Sequence, residues 1–205
     1  MLQIIKKRKD TELVCSFLSS FNTDKNIYVP KLYDGVFETA LATNNVLECT
    51  PGDDNFQVLW EVLRDEPVIL SSFIQTYEAD KETSQILSEV LSIQKNKIPR
   101  AYILLSLCLR SDSSSLMGGR LVDKQDAFTS EYMRQLRTYT TPFSLIKNKK
   151  QECLVFQDLT YLALEEVQAF KETDNCLLIT NNKQHVYLFD GASCSQIGEY
   201  YLIWK

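Results

Sequence analysis

Histidine is almost missing from this chain, His185 being the only one in 205 residues. A Ser-His-Asp arrangement therefore has a single candidate base, and a histidine-rich metal site has no ligands to draw on. The six cysteines, Cys15, Cys49, Cys108, Cys153, Cys176 and Cys194, are scattered without a C-x-x-C pair, which argues against zinc. Cys15, Cys108 and Cys176 lie in apolar runs, where a free thiol behaves as a small buried hydrophobe, so a reducing, cytoplasmic setting is expected. Glycine and proline are sparse, at 6 and 5, which excludes a loop-rich or disordered chain. No apolar stretch approaches the ~20 residues a membrane helix needs, and the amino terminus lacks the pattern of a signal peptide. There is no G-x-x-x-x-G-K-[ST] phosphate loop and no cysteine in the context of a nucleophile. Glu165 and Glu166 are adjacent, so on a helix they point to different faces and do not form an acid/base pair.

What is present is ordinary globular material, 44% hydrophobic and 24% charged. Its length fits one domain. The net charge of -5 does not suit a protein that coats nucleic acid, because that binding depends on Lys and Arg displacing counterions. Two basic clusters, Lys6-Lys7-Arg8-Lys9 and Lys147 with Lys149 and Lys150, read either as solvated surface or as local anion sites.

Helical spacing of Leu13, Phe17, Leu18 and Phe21 predicts an amphipathic helix over 11–21. Ile27-Tyr28-Val29 is a short β-type run ended by Pro30, and a helix over Val36 to Ala42 follows the turn at Tyr33-Asp34-Gly35. Val46-Leu47-Glu48 reads as a second strand. Further helices are expected around Phe56 to Leu63, Leu70 to Tyr77, Thr83 to Leu91 and, beginning at Pro99, through Leu109. Residues 111–119 read as a loop. Leu154 to Phe156 and Cys176 to Thr180 are β-type runs flanking a helix over Leu162 to Phe170, and Val186 to Phe189 with Tyr200 to Trp204 reads as a closing hairpin. This alternation predicts an α/β fold. Its sheet is expected to be largely parallel and Rossmann-like, with helices on both faces, a helical insertion over 56–130 and a C-terminal antiparallel hairpin.

The string YVPKLYDGVFETAL, followed by VLECTPGDDNFQVLWEVLRDEP and later by PRAYILLSLCLRSDSSSLMGGRL, resembles the Dam-type class of adenine-specific DNA methyltransferases over roughly residues 10–130. The resemblance implies a methyltransferase-like sheet and, in an active member, S-adenosylmethionine held against an F-x-G-x-G turn. Here that turn reads Leu32-Tyr33-Asp34-Gly35-Val36, with one glycine, and bulky side chains there obstruct the backbone's approach to a ligand. Asp34 and Gly35 are the remnant cofactor positions. Glu48 is the nearest acid for a ribose, with Asp53 and Asp54 next, although Asp53, Asp54 or Asn55 also suits a helix cap. The family's D-P-P-Y motif, which holds an extruded adenine, finds no D-P-P-Y or N-P-P-Y counterpart. Cys176 to Thr180 is the strand most like its support, which leaves Asn181 and Asn182 as catalytic remnants; alternatively that strand is a later one and the motif segment is deleted. A family G-G-K string is replaced by Arg8-Lys9-Asp10, and of the DNA loop Arg110 and Arg120 remain.

The losses fall on cofactor, base and DNA sites together, so the resemblance implies a catalytically inactive relative with no bound cofactor, acting as a binding or regulatory subunit. A protein partner is expected, with no membrane. The alternatives are a DNA-binding protein using Lys6, Lys7, Arg8, Lys9, Arg110 and Arg120, or a diverged methyltransferase that still uses S-adenosylmethionine. Tyr200, Tyr201 and Trp204 read either as a partner surface or as one edge strand alternating into the core.

Overall fold

The computed structural model describes residues 11–77, 83–110, 128–147 and 152–205. The described residues divide into two compact units, one within 53–141 and the other combining 11–52 with 142–205. The second unit carries the sheet.

Its elements follow in chain order: α1 (Thr11–Ser20), β1 (Ile27–Leu32), α2 (Val36–Leu41) and β2 (Leu47–Pro51). After the helical unit come β3 (Ser144–Leu145), β4 (Leu154–Asp158), α8 (Leu164–Gln168) with a 3₁₀ turn at 169–172, β5 (Cys176–Thr180), α9 (Lys183–Tyr187), β6 (Ser193–Ile197) and β7 (Tyr200–Trp204). The seven strands lie in the order β3-β2-β1-β4-β5-β7-β6. β1 pairs in parallel with β2 and β4, β2 with β3, and β4 with β5. β7 is antiparallel to both β5 and β6. β7 alone is therefore reversed, and β6 runs with the rest. The α/β, mostly parallel, Rossmann-like expectation holds, as does the C-terminal hairpin.

Three local expectations need correction. β1 does not stop at Pro30 but runs through it to Leu32, even though β1 lies inside the sheet, where proline removes a ladder donor. The sheet accommodates it with a register shift between Val29 and Leu32, and with Gln157 of β4. The Gln157 side chain is fully buried; it accepts from the Lys31 N–H at 2.9 Å and donates to the Lys31 carbonyl at 2.9 Å. Its amide thus substitutes for a peptide group where backbone pairing with β4, seen at Ile27 and Tyr28, has ended. The second correction concerns Val186 to Phe189, which is not a strand. Asn182 caps α9 by accepting from the Gln184 N–H at 3.0 Å, and His185 and Phe189, four residues apart, are both buried. That is helical spacing in a short apolar run that period alone leaves ambiguous. The hairpin pairs β6 with β7, turning at Gly198. Third, β7 is not an edge strand, because β6 covers it.

Tyr200 of β7 is buried and meets Phe37 of α2 edge-on at 5.3 Å. Half-buried Trp204 packs against Phe17 and Phe21 at 6.4 and 5.6 Å. These contacts fasten α1 and α2 to the hairpin end of the sheet.

The helical unit contains α3 (Asp54–Asp65), α4 (Pro67–Thr76), α5 (Thr83–Ile93), α6 (Lys97–Arg110) and α7 (Ser130–Arg137). α3, α4 and α5 each pack on α6, and α4 also meets α7. α6 is the centre because its 101–106 stretch is buried all round. It starts two residues before Pro99, which still falls in the first turn, where an N–H has no intrahelical acceptor. No described helix is long and apolar enough to cross a membrane.

Candidate functional site

Strand order reverses where β1 lies between β2 and β4, and in open α/β sheets a ligand crevice opens at the carboxyl ends of strands at such a point. Here those ends are Tyr33-Asp34-Gly35 after β1, Pro51-Gly52 closing β2, and Asp158, the last residue of β4, with Leu159-Thr160-Tyr161 following it. All belong to the sheet unit.

The β1 turn is built for its shape. Gly35 has φ +69°, a left-handed conformation that disfavours a side chain, and its carbonyl accepts the first bond of α2 from the Thr39 N–H at 2.9 Å. Asp34 accepts from the Val36 N–H at 3.1 Å through Oδ1, and through Oδ2 from the Tyr161 hydroxyl. The residue is 5% exposed. Asp34 is therefore held inside the turn as a hydrogen-bond acceptor that joins β1 to the residues after β4.

Tyr33 fills the neighbouring space. It is 7% exposed, and its ring lies 5.4 Å from that of Tyr161 at a 50° tilt. A Cβ on Gly52 would come within 2.5 to 2.8 Å of three Tyr33 ring atoms. The Gly52 N–H donates to the Leu32 carbonyl at 2.7 Å, which draws the ends of β1 and β2 together beneath that ring. Behind Tyr161, Asp158 is 3% exposed and accepts from the Thr160 N–H at 2.9 Å. On α8, Glu166 caps its own helix at the Ala163 N–H and pairs with Lys31. The Lys31 ammonium, then the Ala163 N–H, holds the Glu166 carboxyl below its ordinary value.

The candidate residues read from sequence are only partly brought together. Asp34 and Gly35 stand in the crevice. Glu48 does not join them: it pairs in register with Tyr28, at the start of β1 rather than its end, and is largely buried. Asp53 is a helix cap, accepting from the Asn55 and Phe56 N–H groups at 2.8 and 3.0 Å. Asn181 is exposed at the end of β5, and the Asn182 side chain is committed to capping α9. His185 is buried with Nδ1 2.8 Å from the Thr180 hydroxyl, and burial lowers its pKa. Arg110 closes α6. Lys6, Lys7, Arg8, Lys9, Arg120 and the 111–119 segment lie outside the described residues.

Sequence reading missed Asp158 and Tyr161. Their spacing, D-x-x-Y at a strand end, was the available signal, hidden because Leu159 and Thr160 stand where paired prolines were sought. It also missed Gln157, whose partner lies 126 residues away along the chain. Cys49 is buried. Burial, then the Glu38 carboxylate, pushes its thiol well above the ordinary value. Among the described residues no group of three or more His, Cys, Asp or Glu side chains is placed to hold a metal ion. No family model and no curated protein matches the chain.

Proposed function

We propose that this chain is a catalytically inactive relative of the Dam-type adenine-specific DNA methyltransferases that acts as a binding or regulatory subunit beside a nucleic-acid-processing partner. The observation that carries the reading is the state of the switch-point crevice. The mostly parallel α/β sheet is of the kind the sequence resemblance implies, yet the Tyr33 ring stands against Gly52 where a cofactor would approach. The Asp158-Leu159-Thr160-Tyr161 stretch supports the same relationship. It keeps the aspartate and tyrosine of the D-P-P-Y spacing at the end of the strand beside β1 and lacks both prolines. Its tyrosine hydroxyl is turned to Asp34 of the chain itself, an internal bond in place of base stacking. The family-like string from Trp60 to Pro67 has a structural role here: Trp60 and Leu63 are buried, Arg64 pairs with Asp65 at 2.7 Å, and Pro67 begins α4.

Calorimetry with S-adenosylmethionine, run beside a methyl-transfer assay on DNA, tests the proposal. Neither micromolar binding nor transfer is expected. Binding at that level together with methylated DNA overturns it. Co-purification of the full chain from its source then identifies the partner.

A further inference from the structure

We propose that a cleft at the hairpin end of the sheet binds a small aryl carboxylate, whose single negative charge is met by Lys171 and Lys205. The inference is independent of the crevice described above. This cleft lies at the amino ends of the parallel strands, where β5 begins and β7 finishes.

The cleft has a volume of about 410 Å³, inside the range of roughly 300 to 1,000 Å³ usual for small-molecule sites. Its walls come from the segment between α9 and β6, from the end of β7 and from the 3₁₀ turn at 169–172. Leu188, buried Phe189 and half-buried Trp204 give it an apolar side. The Trp204 ring is a surface on which an aryl group can stack.

Hydrogen-bond accounting supplies the first argument. Among the described residues, the Trp204 indole N–H, the Lys171 ammonium and the backbone N–H groups of Asp190 and Gly191 find no acceptor in the fold. All four belong to residues that line the cleft. A half-buried indole N–H usually has a partner, and successive free N–H groups in a turn make a concavity that suits an anion. Gly191 has φ +84°, and no atom lies within 4 Å of where its Cβ would stand. A ligand oxygen can therefore approach the backbone there.

Charge decides the ligand class. The Lys205 ammonium donates to the Lys171 carbonyl, which keeps the two cationic side chains together. Neither forms an ion pair among the described residues. Asp190 is the only acid among the described residues that line the cleft. Two positive charges thus face one negative charge, a set that a monoanion balances and a phosphate dianion does not. The Lys205 carbonyl is already engaged, accepting from the Cys176 N–H at 2.9 Å. Asp174 lies outside the lining. Burial raises the Cys176 thiol pKa, and against it Lys205 pulls down more than Asp174 pushes up.

The test titrates the isotope-labelled full chain with phenylacetate, phenylacetamide and inorganic phosphate, following the indole N–H resonances of Trp204 and Trp60. Phenylacetate is expected to move the Trp204 signal saturably and to leave Trp60, buried in the helical unit, in place. Phenylacetamide, of the same shape without the charge, should bind about tenfold more weakly, and so should phenylacetate to a Lys171→Gln/Lys205→Gln chain. Both lysines are exposed, so that variant keeps its fold, and Lys25→Gln serves as the charge control with wild-type affinity. An absent or non-saturating Trp204 shift overturns the proposal. An amide that binds as tightly as the acid shows an apolar crevice only, and phosphate that displaces phenylacetate at equal concentration shows an unselective anion patch; either result also overturns it, as does wild-type affinity in the double variant.

Discussion

Single side chains carry the most specific chemistry. Gln157 closes a gap that Pro30 opens in the middle of a sheet. Replacing it with Met, of similar shape, leaves the Lys31 N–H and carbonyl without that partner and should cost about 2 kcal/mol in urea unfolding. Gln157→Glu should cost more, because its second oxygen faces the Lys31 carbonyl where the amide donated. Gly52→Ala should destabilise the chain by about 1 to 3 kcal/mol through overpacking against Tyr33. Most of that cost should vanish in a Tyr33→Ala background, and a double-mutant cycle measures the coupling. His185 makes stability depend on pH. Burial depresses its folded pKa, so the unfolded chain binds more protons. The contribution is complete above the ordinary value of about 6.5 and is lost as pH falls below it toward the folded value. The urea midpoint should therefore drop from pH 7.5 to pH 5 more in wild type than in His185→Gln.

The secondary-structure elements differ in how openly the chain declares them. α3 follows from apolar spacing and also announces its start, because Asp53 precedes the helical pattern and accepts two N–H bonds there; α1 forms where the spacing placed it, but it buries Val14 and Leu18 and leaves Leu13 and Phe17 exposed. Asp53→Ala should cost about 1 kcal/mol in thermal or urea unfolding. α9 and β1 were less legible. Val186 to Phe189 is too short for period to separate strand from helix, and the decision rests on the Asn182 cap and on which residues find the core. β1 continues past Pro30 because Leu32 still pairs with Pro51 of β2 while Gln157 meets Lys31 on the β4 side. β3, two residues long, has too little pattern to read and exists because β2 offers it an edge.

For the chain as one object, the net charge of -5 sets its behaviour toward polyanions. A mobility-shift series is expected to show no retardation of duplex DNA at about 0.15 M salt, where counterion release supplies little. Retardation that persists there would instead favour the DNA-binding alternative.

Composition and local pattern were enough to establish the α/β class, the mostly parallel sheet and a closing hairpin, though not its first strand, because those depend on periodicity, caps and residue size over a few positions. The long-range pairings were not legible: which strand lies beside β1, that Asp158 and Tyr161 stand at its end, that Glu48 sits away from the crevice, and that Tyr33 lies on Gly52. Each joins residues distant in the chain through sheet order and side-chain packing, and neither is encoded in spacing along a single segment. The glycine-poor turn at Tyr33-Asp34-Gly35 is itself local, but the packing of Tyr33 depends on Gly52 and Tyr161 arriving from β2 and β4.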